Sequence, residues 1–156
     1  MELDDICSEK LLLLFNHWRG SREGSSVPGI GDIDPLMFDY AMGMISVVEV
    51  HRDPLRFYFR HFGSHNVDHY GFDLTGKWLD DNPEKDIRIA MSEWCCTAIT
   101  SQAPVLRHFD EFQNGQPESY ETLVLPLADG KGQVQRLLLA IDYGYKSRRP
   151  EVSLAS

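Results

Sequence analysis

The sequence predicts an α+β fold built on one five-stranded antiparallel sheet. Three observations predict it. Strand signals come first as a pair and later as a run of three, with short turn signals inside each group and a helical stretch between the groups. A stripe of helical period precedes the first strand. The last strand, Val134 to Tyr143, is apolar on both sides: Leu137, Leu139 and Ile141 on one, Leu138 and Ala140 on the other. Both faces of the sheet therefore need cover. The central helices can supply one, and an N-terminal helix or a partner chain the other.

Each element has its own signal. Residues 3–19 carry apolar side chains at helical spacing through Leu3, Ile6, Cys7, Leu11, Leu14, Phe15 and Trp18, and Leu12 and Leu13 widen the apolar surface. Gly20 to Gly31 is rich in Gly and Ser and reads as a linker. Asp34-Pro35 opens a short helix, Asp as cap and Pro in the first turn. Asp32 and Asp34 also form a carboxylate pair, for which capping is the better reading because no third ligand lies nearby in sequence.

Ile45 to His51 and Arg56 to Phe62 are strands joined by an Asp53-Pro54 turn. Ser64 caps a helix over 65–70, and a short helical turn follows at Trp78-Leu79. Asn82-Pro83-Glu84 starts the long helix, whose inner face runs through Ile87, Met91, Trp94, Cys95 and Ala98 until Ala103-Pro104 stops it. Val105 to Phe112, Tyr120 to Leu127 and Val134 to Tyr143 complete the strands, with turns at Asn114-Gly115 and Asp129 to Gly132. This divides the chain into an N-terminal helix (1–22), a linker with a short helix (23–44), a core (45–145) and a tail (146–156).

Composition narrows the function. The 156 residues suit one domain, and 42% apolar with 25% charged residues is ordinary for a globular protein. The longest apolar run, Leu11 to Phe15, is too short to span a bilayer. The acidic start (Glu2, Asp4, Asp5) is unlike a signal peptide, so a cytoplasmic protein without membrane attachment is expected. A net charge of −9 repels phosphate backbones, so nucleic acid is not an expected partner, and Lys146, Arg148 and Arg149 read as a solvated tail. Cys7, Cys95 and Cys96 have neither disulfide nor zinc spacing and are expected as free thiols.

Several segments, taken in order, resemble a family of short bacterial PAS-domain proteins: His17-Trp18-Arg19-Gly20, Asp32-Ile33-Asp34-Pro35, Arg56-Phe57-Tyr58-Phe59-Arg60-His61-Phe62-Gly63, Gly71-Phe72-Asp73-Leu74-Thr75-Gly76-Lys77 and Leu123-Val124-Leu125-Pro126-Leu127. The resemblance implies a PAS fold with strand order 2-1-5-4-3 and helices on one face. It further implies sensing or protein interaction, with ligands mostly undefined and no catalytic residues to carry over. The cofactor-binding branches leave marks that can be checked. Flavin photoreceptors carry an Asn-Cys-Arg-Phe-Leu-Gln-like run, which this chain lacks. Haem-binding PAS domains often use a His on the long helix, and Asn82 to Ser101 contains none. Flavin, haem and zinc are accordingly disfavoured, and the cofactor is unknown.

The candidate ligand wall follows from the sheet–helix interface. If Phe57, Phe59 and His61 share the inner face of their strand, then Phe59, His61, Tyr70, Trp78, Met91 and Trp94 surround any small apolar ligand, the alternative being ordinary core packing. His65 and His69 share a helix face at metal-ligand spacing, with Asp68 or a distant group as the third ligand, but no HExxH context accompanies them and surface histidines are the better reading. There is no GxSxG elbow, Walker loop or GxGxxG, so no enzyme is expected. Apolar surface around much of the N-terminal helix predicts a homodimer through Leu3, Ile6, Leu11, Leu14, Phe15 and Trp18. With no kinase, cyclase or DNA-binding extension in the chain, output is expected to pass through a protein partner. The two functions in view are a sensory or relay domain and a ligand-free interaction module.

Overall fold

The computed structural model describes residues 5–22, 24, 27–34, 38–113 and 115–144. Its elements are α1 (Glu9–Ser21), β1 (Ile45–His51), β2 (Arg56–His61), α2 (Ser64–Tyr70), α3 (Lys85–Ser101), β3 (Val105–Gln113), β4 (Gln116–Ala128) and β5 (Val134–Asp142), with short 3-10 turns at Ile30–Asp32, Asp39–Met44 and Leu79–Asp81. The strands form one antiparallel sheet in the order β2-β1-β5-β4-β3, as the resemblance implies. Leu3, Pro35 and the cluster Lys146, Arg148 and Arg149 lie outside the described residues.

The doubly apolar β5 is explained by two cores. Leu137, Leu139 and Ile141 face the inner core, where Ile87, Met91, Trp94, Cys95 and Ala98 of α3 pack over Val48, Val50, Phe57 and Phe59. Leu138 and Ala140 face the outer core, under Leu11, Leu14, Phe15 and Trp18 of α1, together with Ile33, Phe38 and Met44. Alternation along β4 divides its residues in the same way: Tyr120 and Val124 point inward, and Leu123, Leu125 and Leu127 outward.

The sheet's own chain therefore consumes the apolar stripe of α1. Ile6, Leu11, Leu14, Phe15 and Trp18 are all buried, and the Trp18 indole donates to the Pro126 carbonyl at 2.8 Å. Within the single chain these side chains face β4 and β5, and the dimer interface expected through them stays a proposal. The exposed leucine of the helix is Leu13. The helix also starts later than its period predicts. Ser8 is the N-cap, its hydroxyl accepting the Leu11 amide at 3.1 Å, and Ile6 to Ser8 are non-helical. Asp32 closes the 3-10 turn Ile30–Asp32 from its own third position, accepting the Gly29 amide at 2.8 Å.

The second correction concerns β2. Val47 pairs with His61 while Val48 pairs with Phe59, so one extra residue, Arg60, bulges from the strand. The bulge resets the alternation. Phe57, Phe59 and Phe62 are buried in the inner core, whereas Arg60 and His61 are exposed. His61 is therefore not an inner wall residue. Gly63 then allows α2 to begin close to the turn before β1. A Cβ there would sit 2.8 Å from the Gly43 carbonyl oxygen, and it is Gly63, not Ser64, that occupies the cap position.

Candidate functional site

Polar groups of the inner face converge where α2 meets β1, β3 and the end of β5. Gly71, at φ 84°, ends α2 after seven residues, its amide bonding the Val67 carbonyl at 2.7 Å. That short helix turns Asn66 inward and brings His69 and Tyr70 to β3. Asn66 is fully buried and hydrogen-bonded at both ends of its amide. Its side-chain amide donates to Ser46 Oγ at 3.1 Å, and its carbonyl accepts the Tyr143 hydroxyl at 2.5 Å. Ser46 Oγ also takes the Gly63 amide at 2.9 Å. A buried polar network is costly when its members lack partners, and here Ser46, Asn66 and Tyr143 each have one.

His69 stacks on Tyr143 with ring centroids 4.2 Å apart, and its Nε2 bonds Glu111 Oε1. The Tyr70 hydroxyl donates to Glu111 Oε2 at 3.3 Å. Burial pushes the Tyr70 and Tyr143 phenols well above the usual tyrosine range, and the Glu111 charge adds to both shifts. Both hydroxyls therefore remain donors at neutral pH. The result is a polar strut from β1 through α2 to the end of β5, with Glu111 tying it to β3.

Two clefts flank His69. One, of about 440 Å³, runs toward α1 between Lys10, Met44, His65, Asp142 and Tyr143. The other, of about 530 Å³, opens between α2, the start of α3 and β3, with Tyr70, Ile87 and Phe109 beside Glu84, Asp86 and Glu111. The 440 Å³ cleft is mainly apolar, whereas the 530 Å³ cleft is mainly polar, with the carboxylates of Glu84, Asp86, Asp110 and Glu111 beside the aromatic rings of Tyr70, Phe109 and Phe112.

The six predicted wall residues do not form one ring. Phe59, Met91 and Trp94 are together, but packed solid in the inner core. Tyr70 is at the rim of the 530 Å³ cleft. Trp78 sits at the β2 edge, bridging to Tyr58, with the Arg56 guanidinium 4.0 Å over its ring and Asp80 holding that guanidinium through two hydrogen bonds. His61 is on the opposite face. Sequence reasoning missed Asn66, Glu111 and Tyr143. The His65–His69 spacing was the one usable signal, and it was read as surface histidines in preference to a metal pair, whereas His69 is half-buried and engaged with Glu111 and Tyr143.

The family model described as PAS domain matches residues 7–141. The chain belongs to the PAS-domain family. The match begins inside the segment that docks α1, so α1 belongs to the matched unit. Among solved structures, this PAS chain is similar to a sensory box sensor histidine kinase from Vibrio cholerae, at 15% identity and TM-score 0.46 over 62% of this chain and 79% of that one. It is also similar to the PAS domain of BvgS from Bordetella pertussis, at 14% identity and TM-score 0.45 over 64% and 74%. A PAS domain from Colwellia psychrerythraea gives 13% identity and TM-score 0.48 over 71% and 93%. No curated protein matches the chain. Among the described residues, no helix is long and apolar enough to cross a membrane.

Proposed function

We propose that this PAS chain is a cytoplasmic sensory or signal-relay domain that reads a small molecule, a protein partner or both, and passes the change to another protein without catalysis. The observation that carries this reading is the continuous contact path from the 530 Å³ cleft to the end of β5: Glu111 to His69, His69 to Tyr143, and Tyr143 to Asn66. A ligand entering beside Tyr70 meets Glu111 first, and any shift of that carboxylate is felt at Tyr143. Trp94 packs on Phe109 of the cleft, and in the same core the unbranched Met91 is the side chain best suited to yield to a deeper ligand.

The filled core favours a second reading, a ligand-free interaction module, because Phe59, Met91 and Trp94 are at most 3% exposed. Self-association, in either reading, is proposed to exchange α1 between copies, since its inner stripe is already seated on the sheet. Native mass spectrometry of the freshly purified full chain separates the two readings. A bound species released on denaturation supports sensing, and a clean apo mass supports the interaction module.

A further inference from the structure

The outer face of the sheet holds a separate cleft of about 450 Å³, made possible by the bulge at Arg60. Ile45 and Val47 of β1 and Met42 from the preceding turn supply apolar lining. Arg60, His61, Arg136 of β5 and Asp34 supply the polar groups. Arg136 is the informative residue. Its side chain is only 23% exposed, and its Nε is shielded from solvent with no hydrogen-bond partner among the described residues. The Glu49 carboxylate stays 3.9 Å from its Nη2, beyond hydrogen-bond reach, because Glu49 is committed to Arg60 Nη1 at 2.8 Å.

A guanidinium is a planar fork of donors shaped for two carboxylate oxygens. Here the guanidinium lies largely desolvated beside an apolar floor, ion-paired to Glu49 at 3.9 Å without a hydrogen bond and with its Nε lacking an acceptor, and an unbonded buried donor is costly. We propose that this cleft binds a small organic carboxylate, its head on Arg136 and Arg60 and its apolar body along Met42, Ile45 and Val47. Glu49 and Asp34 balance the two guanidiniums, so each added negative charge is taken up without excess positive charge, which disfavours a doubly charged phosphate more than a single carboxylate. The cleft lies on the other side of the sheet from the one lined by Tyr70, and this proposal is independent of that reading.

The test is an amide NMR titration of the full chain with hexanoate, compared with hexan-1-ol, hexylammonium and inorganic phosphate. Hexanoate is expected to shift Ile45, Val47, Arg60 and Arg136 saturably, with the other three probes at least about tenfold weaker. Arg136→Met, which keeps the apolar stem, should weaken hexanoate about tenfold or more, and the exposed Arg60→Gln a few-fold. The proposal is overturned if hexanoate gives no saturable shift up to roughly 10 mM, if any comparison probe binds as well, or if the variants bind it unchanged. If Arg136→Met does not fold, Arg60→Gln and the probe comparison decide alone.

Discussion

The backbone amide of Ser8 donates to Glu121 Oε1 at 2.6 Å, across 113 residues of chain. Glu121 is fully buried in β4, and its other oxygen takes the Cys7 amide at 2.9 Å and faces His108 Nε2 at 3.3 Å. The Ser8 hydroxyl caps α1 and donates to Asp142 Oδ2 at 2.5 Å. One residue thus both starts the helix and fastens it to the sheet.

Replacing Glu121 by Gln keeps the shape but turns an NH2 toward one of those amides. Hydrogen bonds to a charged group are worth about 1.5–3 kcal/mol, so E121Q is expected to lose about 2 kcal/mol. Hydrogen exchange should show α1 amides released while those of α3 stay protected. Uniform loss of protection in both helices would mean that Glu121 does not act as a local latch.

The two faces of α1 differ in a way that a pair of substitutions reads. Leu14→Ala opens a hole in the outer core and is expected to cost about 2–5 kcal/mol. Leu13→Ala, on the exposed face, should stay within about 0.5 kcal/mol of the parent. Urea unfolding measures both, and equal costs would refute the docking of α1 described above.

The bulge at Arg60 makes a similar contrast on β2. Phe62→Ala should destabilise by about 3–5 kcal/mol, since Phe62 packs on Phe59 with ring centroids 5.0 Å apart. His61→Ala should leave stability almost unchanged. The reverse ranking would show that the strand keeps simple alternation.

Alkaline stability follows from the tyrosines around Glu111. Burial raises Tyr70 and Tyr143, and pushes Tyr120 up to about 12 from an ordinary value near 10. A raised folded value means the stability contribution is complete below pH 10 and is lost above it, as the unfolded chain ionises first. For Tyr120 the loss is complete near pH 12; for the other two it continues further. Each group removes up to about 1.4 kcal/mol per pH unit. Tyrosinate absorbance should therefore jump together with loss of far-ultraviolet dichroism. Full titration of the phenols near pH 10 with native dichroism would contradict the burial.

Much of the architecture was legible in the sequence because it rests on neighbours in the chain. Alternation on β5 announced a sheet covered on both faces, and Leu137 and Leu138 do enter different cores. The period through Ile87, Met91, Trp94 and Ala98 set the inner face of α3, and Ala103-Pro104 lies just past its end at Ser101. Among the candidate site residues, Phe59, Met91 and Trp94 all belong to the buried inner core.

The sequence by itself determined the elements and the faces that each must bury, since propensity, turn chemistry and periodicity act over a few residues. Only the tertiary structure decided where α1 begins, which way His61 points, and where Trp78 lies. Ser8 becomes a helix start because Glu121 arrives from β4 to take its amide and that of Cys7. His61 turns outward because pairing with Val47 forces Arg60 into a bulge. Trp78 stays at the edge because its backbone bridges Tyr58 and Arg56 covers its ring. Each outcome depends on contacts between residues distant in sequence, and no local pattern carries that information.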